Sequence, residues 1–225
     1  NDNTKITSGD VNPLDALQTY IQWNDADISH NGVVNNVRMG RFTMDVGSRR
    51  FVARNKFRNT INSFTGIDWS GTRANGEQIR AFYTLPVQRL PREFDRRKRN
   101  RTQGDDQDTE VAFWGGYYKL PNIALSQWKS EAELFYFGLD ENDTHNRATR
   151  NRDIHTFGGR VYKNNSLNEF DYQIEAVYQF GESRATRSAS DRENLDHLAY
   201  FGRAELGYSF AAEGSPRLIA QFDYA

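Results

Sequence analysis

Even-numbered positions from 170 to 180 hold Phe170, Tyr172, Ile174, Ala176, Tyr178 and Phe180, while the positions between them hold Asp171, Gln173, Glu175, Val177 and Gln179. A period of two with one exception, Val177, is that of a β-strand with an apolar and a polar face. The run is longer than the roughly five or six residues usual in soluble domains and matches the ~10 residues with which a tilted strand crosses a bilayer. Residues 198–210 repeat the design, with Leu198, Tyr200, Gly202, Ala204, Leu206, Tyr208 and Phe210 on one face and Arg203, Glu205 and Ser209 on the other. Residues 129–138 set Ala132, Leu134 and Tyr136 against Glu131 and Glu133, and residues 78–85 set Ile79, Ala81, Tyr83 and Leu85 against Arg80 and Thr84. Each apolar face needs an apolar surrounding, and both the core between two packed sheets and lipid can provide one.

Six less regular strands are expected at 14–23, 37–45, 64–71, 109–119, 154–162 and 217–224, which makes ten. In 109–119 both faces are aromatic, Val111, Phe113 and Tyr117 against Trp114 and Tyr118, so inward and outward stay unassigned there. No window carries a 3.6-residue apolar stripe, which leaves helix marginal. Short turns at 72–77, 120–127, 164–169 and 211–216 alternate with long polar loops at 46–63, 87–108, 140–153 and 182–197. An up-and-down transmembrane barrel sorts its connections in this way, with short turns at one rim, long loops at the other, an apolar exterior and a polar lumen. A soluble sandwich has no reason to do so. Aromatics near strand ends, among them Trp23, Phe170, Phe180, Tyr200, Tyr208 and Phe210, fit interfacial girdles. The fold class expected is all-β, an antiparallel up-and-down transmembrane β-barrel, with residues 1–225 as a single domain forming an incomplete portion of a larger barrel. Asn1 opens without Met and Ala225 closes within a strand pattern, as in a piece of a longer protein.

Composition removes several classes. With 13% aromatic residues the chain is not of disordered type, in spite of a mean hydropathy of -0.84. No run of about 20 apolar residues is present to span a bilayer as a helix. The absence of Cys excludes disulfides, Cys-based zinc sites and thiol nucleophiles. The 29 basic residues nearly balance 30 acidic ones, which argues against a general nucleic-acid binder. Of the basic residues 23 are Arg, a bias suited to bidentate contacts with carboxylate or phosphate.

The stretch 37–66 reads VRMGRFTMDVGSRRFVARNKFRNTINSFTG. Through Gly40 and Arg41, residues 47–52 and residues 63–66 it resembles the alginate-export family of bacterial outer-membrane β-barrels, with Thr65 and Phe51 standing where that pattern often has Asp and Leu. The resemblance implies a monomeric pore in the bacterial outer membrane, surrounded by lipid and lipopolysaccharide, that passes anionic uronate polysaccharide or other organic anions. By resemblance the substrate-binding candidates are Arg41, Arg49, Arg50, Arg54 and Arg58. Guanidinium forks hold carboxylates bidentately and keep their charge at any relevant pH. A structural alternative remains open, in which arginines of 46–63 anchor the segment by pairing with Asp45 and Asp68. Strand phase places Arg41, Arg80, Arg160 and Arg203 inward, together with Asp45, Asp68, Glu131, Glu133, Asp171, Glu175 and Glu205. Such a lumen invites ion-pair ladders that need no substrate, so a general porin stays open, as does a soluble β-sandwich binding carbohydrate.

The basic run Arg89, Arg92, Arg96, Arg97, Lys98, Arg99 and Arg101 is followed by Asp105, Asp106, Asp108 and Glu110. It is expected to pair with that acidic run or with lipopolysaccharide phosphates, not with nucleic acid. The four His show no ligand spacing, and no nucleotide-binding or hydrolase signature appears, so no metal, no cofactor and no catalytic residue is assigned.

Overall fold

The computed structural model describes residues 7, 9–11, 14–26, 32–55, 60–125, 128–144 and 148–225. Its strands are β1 (Thr19–Ala26), β2 (Val33–Phe42), β3 (Phe64–Arg73), β4 (Gln78–Gln88), β5 (Asp106–Gln107), β6 (Val111–Leu125), β7 (Trp128–Glu141), β8 (Asp153–Lys163), β9 (Glu169–Ser183), β10 (Leu195–Ser209) and β11 (Arg217–Tyr224). One five-residue helix, α1 (Phe94–Lys98), lies between β4 and β5. All pairings between these strands are antiparallel, and each long strand lies beside its neighbours in sequence, in the order β1-β2-β3-β4-β6-β7-β8-β9-β10-β11. The two-residue β5 adds to the end of β4. This meander, open between β1 and β11, is the wall of a barrel.

All ten expected long strands are present, with changes at their ends. The first starts at Thr19 and not at Leu14, and the second spans Val33–Phe42, not 37–45. The turn expected at 120–127 is mostly strand, because a register shift between Leu120 and Ile123 absorbs Pro121 and lets β6 run on to Leu125. The connections of two to seven residues (27–32, 74–77, 126–127, 164–168, 210–216) alternate with those of eleven or more (43–63, 89–110, 142–152, 184–194) along the whole meander.

Register fixes the two faces. One continuous row runs Ile21, Met39, Ile67, Tyr83, Trp114, Gly138, His155, Phe180, Leu198, and the next runs Trp23, Val37, Trp69, Ala81, Gly116, Tyr136, Phe157, Tyr178, Tyr200. Among these side chains Ile21 is 80% exposed and Leu198 64%, so no described residue covers these two positions of the face. Gly138 is required in it: a Cβ there would lie 2.3 Å from the Trp114 ring. The row through Trp23 is three residues from the short-turn end of β1 and nine from that of β10, the stagger of tilted barrel strands. The opposite face carries the buried cluster of Phe82, Tyr117, Phe135, Phe137 and Val177, joined by Phe42, Met44, Val46 and Val52 from β2 and the segment after it. The same register settles β6, turning Val111, Phe113 and Tyr117 inward and Trp114 and Tyr118 outward.

Candidate functional site

The inner face is built in layers. Nearest the short turns, Lys119, Glu133, Arg160 and Glu175 form one row, with Glu131, Tyr162 and Gln173 beside it. Arg160 donates to Glu133 through Nε at 3.0 Å and Nη2 at 2.8 Å, and its guanidinium lies 4.0 Å from the Tyr162 ring centre. The Tyr162 hydroxyl donates to Glu131 at 2.5 Å, and Lys119 reaches the same carboxylate at 2.6 Å. On β10 and β11, Arg203 pairs with Glu205 at 2.6 Å and Asp223 at 3.4 Å, while Arg217 joins Asp171 and Glu205. On β2 to β4, Asp68 takes both Arg38 and Arg80, the latter by a fork at 2.7 and 3.1 Å. The cause is the cross-strand spacing of about 5 Å, which puts long acids and bases of neighbouring strands within reach.

Above these pairs the inner face turns aromatic, and residues 43–55 fold onto it. Arg80 Nη1 donates to the Asp45 carbonyl at 2.8 Å, while the Asp45 carboxylate accepts the Arg54 backbone N–H at 2.9 Å. A tight loop follows, closed by Val46 N–H to Val52 O at 3.1 Å and Arg49 N–H to Val46 O at 3.0 Å. Gly47 adopts φ 53°, and a Cβ there would come within 3.2 Å of both the Glu133 carboxylate and the Tyr117 ring. Ser48 Oγ and Arg50 Nε donate to the two oxygens of Glu175 at 3.1 and 3.2 Å; Arg50 also lies 4.8 Å from the Phe201 ring centre, and Phe51 meets Phe135 at 5.8 Å. This short segment therefore touches β4, β6, β7, β9 and β10.

Placement of the sequence candidates is mixed. Asp68, Arg80, Glu131, Glu133, Arg160, Asp171, Glu175, Arg203 and Glu205 share the inner face. Asp45 lies beyond the end of β2, in the inward-folded segment. Arg41 does not face inward: it stands opposite Thr65 on the face of Met39 and Ile67, because it lies three positions, an odd step, from inward-facing Arg38. Arg49 is exposed at the loop tip with φ 61°, and no carboxylate pairs with it among the described residues. Arg50 is paired with Glu175. Arg54 Nε is buried without a hydrogen-bond partner among the described residues. Arg58 lies outside the described residues. The anchor expected from arginines to Asp45 and Asp68 takes another form, since Asp68 is occupied by Arg38 and Arg80 and the segment's ion pair goes to Glu175. Arg38, Lys119, Tyr162 and Arg217 were missed. Arg38 was legible, because Val37 and Met39 flank it as outward residues.

The inner pairs involve six bases (Arg38, Arg80, Lys119, Arg160, Arg203, Arg217) and seven acids (Asp68, Glu131, Glu133, Asp171, Glu175, Glu205, Asp223) on the strands, and at the end of β7 Glu141 pairs with Arg152 of the loop after it. The wall is thus nearly neutral, and positive surplus comes from Arg49, Arg50 and Arg54 against Asp45. No curated protein and no solved structure matches the chain. A family model described as alginate export matches residues 1–225, the whole length. An antiparallel wall with an apolar exterior, an ion-paired inner face and this match make the chain a member of the alginate export family.

Proposed function

We propose that the protein is a monomeric outer-membrane pore that exports or passes anionic polysaccharide of uronate type, or smaller organic anions. The observation that carries this reading is the division of the sheet into an apolar outer face suited to lipid and a charged inner face crossed by an arginine-bearing segment. Among the described residues Arg49 offers a guanidinium with no carboxylate partner, and Arg54 a buried Nε with no acceptor, in a segment where the wall has few free charges. A polyanion needs several weak sites in series, and arginines that stay charged supply them. Glu175 competes for Arg50, so an anion binds there only by exchange with a carboxylate. A general porin is the second reading, and the near balance of the wall charges favours it.

The test is conductance of the full protein in planar bilayers. Anion selectivity and block by oligouronates are expected, and Arg49→Gln with Arg54→Gln should weaken both. Cation-selective pores indifferent to oligouronates would leave the general porin.

A further inference from the structure

The loop between β4 and β6 carries six basic residues against Glu93 and Asp95 within residues 92–101. The acidic run that follows does not neutralise them. Asp105 accepts the Leu90 N–H, Asp106 its neighbour's N–H, and Asp108 a bond from Gln88. Among the described residues no carboxylate pairs with Arg92, Arg96, Lys98, Arg99 or Arg101, and all five are exposed. Phe94, opening α1, is also exposed, at 38%.

The neck of this loop lies on the outer side of the wall. Arg41 Nη2 reaches the Asp105 carbonyl at 3.4 Å, and Gln107 Nε2 the Thr65 hydroxyl at 3.4 Å. Thr19, Arg41 and Thr65 share the outward face, two residues along their strands from Ile21, Met39 and Ile67. At about 3.4 Å per residue the neck sits roughly 7 Å beyond the apolar row, the level of lipid head groups. A tip that served the lumen would be carried on the inner face.

We infer that residues 92–101 form a docking surface for phosphorylated glycolipid head groups of the outer leaflet, with Arg92, Arg96, Lys98, Arg99 and Arg101 on the phosphates and Phe94 in the acyl boundary. Arginine forks match phosphate oxygens, and clustered cations at a membrane surface add their attractions. An exposed aromatic beside them suits a lipid surface, where an amphipathic tip has both an apolar and an anionic side to contact. The inference rests on the membrane reading above.

The experiment is native mass spectrometry of the full protein in micelles doped with bisphosphorylated lipid A or with its enzymatically dephosphorylated form. The combined variant Arg92→Gln, Arg96→Gln, Arg99→Gln, Arg101→Gln should bind the bisphosphorylated lipid at least about tenfold more weakly and lose the salt dependence, whereas Arg187→Gln with Arg192→Gln in the 184–194 loop should match wild type. Phe94→Ser should weaken binding while keeping the salt dependence. Equal retention of both lipids by wild type, or by wild type and the fourfold variant, overturns the inference, as does displacement of the lipid by oligouronate. Heat-modifiable mobility and conductance are recorded for every protein. Their loss in wild type would strike the membrane reading, while their presence without phosphate dependence would strike this surface alone.

Discussion

Asp68 shows what a single inner-face carboxylate does. It is 3% exposed and holds two guanidinium groups, Arg38 and Arg80, from the strands on either side. Asp68→Ala leaves both cations facing each other without a counter-charge, and should cost about 3 kcal/mol, read from the urea midpoint of the folded protein in lipid vesicles. An unchanged midpoint would mean that water in the lumen already screens the pair. The outer face obeys a different rule. Ile174 is 58% exposed on the face of Tyr172 and Tyr178, while Gln173 points inward beside Arg160. Ile174→Arg should cost about 2 to 4 kcal/mol in the membrane, and Gln173→Arg far less. Equal costs would contradict the assignment of faces. Arg41 illustrates how a residue is misread at this scale: a strand phase drawn over 37–45 turns it inward and the resemblance makes it a substrate candidate, but the register that sets Val37 and Met39 outward places it outward with them, and parity governs.

At the scale of elements, the long loops 142–152 and 184–194 are joined by the Arg184 N–H to the Arg150 carbonyl at 2.7 Å, by Asn151 Nδ2 to Asn194 Oδ1 at 3.4 Å, and by an ion pair at the Asp143 carboxylate. Asp143 Oδ1 accepts the Thr149 N–H at 2.8 Å and its hydroxyl at 3.1 Å, while Oδ2 meets Arg184 at 2.5 Å. The Thr149 N–H, with Arg184 next, holds the Asp143 carboxyl below its ordinary range. Because its folded value is depressed, the tether is fully present above the ordinary carboxylate range and is lost only as pH falls through the lowered value. The chain has no Cys, so a spin label at Arg187→Cys reports on one loop alone. Its mobility should stay constant between pH 7 and about 4 and rise under stronger acid, and Asp143→Ala should raise it already at pH 7. A label equally mobile with and without Asp143 would remove the tether. Much of the meander was legible from alternation, because a strand with one lipid-facing side writes its period into the chain. Two things were not. The continuation of β6 past Pro121 depends on a bulge opposite β7, and the inward and outward faces of β6 depend on its neighbours, since aromatics serve both its faces. Contacts of Ser48 and Arg50 with Glu175, some 125 residues away, leave no local pattern at all.

For the whole molecule, the decisive question is which part of the chain sets the field in the lumen. The strands contribute acids and bases in near balance, and their ion pairs cancel at short range, so the wall by itself favours neither sign of charge. The segment 43–55 differs, with three arginines against Asp45, and it lies across the inner face instead of along the rim. Val46, Phe51 and Val52 hold it on the aromatic layer, and Glu175 holds its tip toward β9 and β10. Replacing residues 46–52 with a flexible Gly-Ser linker removes these anchors and two of the arginines while leaving every strand pair intact. Single-channel conductance should then rise, because the lumen widens, and the reversal potential in a salt gradient should move from the anion side toward zero or the cation side, because a carboxylate majority remains. Glu175→Gln alone should give a smaller change of the first kind, an unsteady rise in conductance, since it weakens the tip's hold and keeps the arginines. If the linker variant kept both the conductance and the selectivity of wild type, the segment would be a packing element of the wall, and the field in the lumen would have to be assigned to residues elsewhere in the intact barrel.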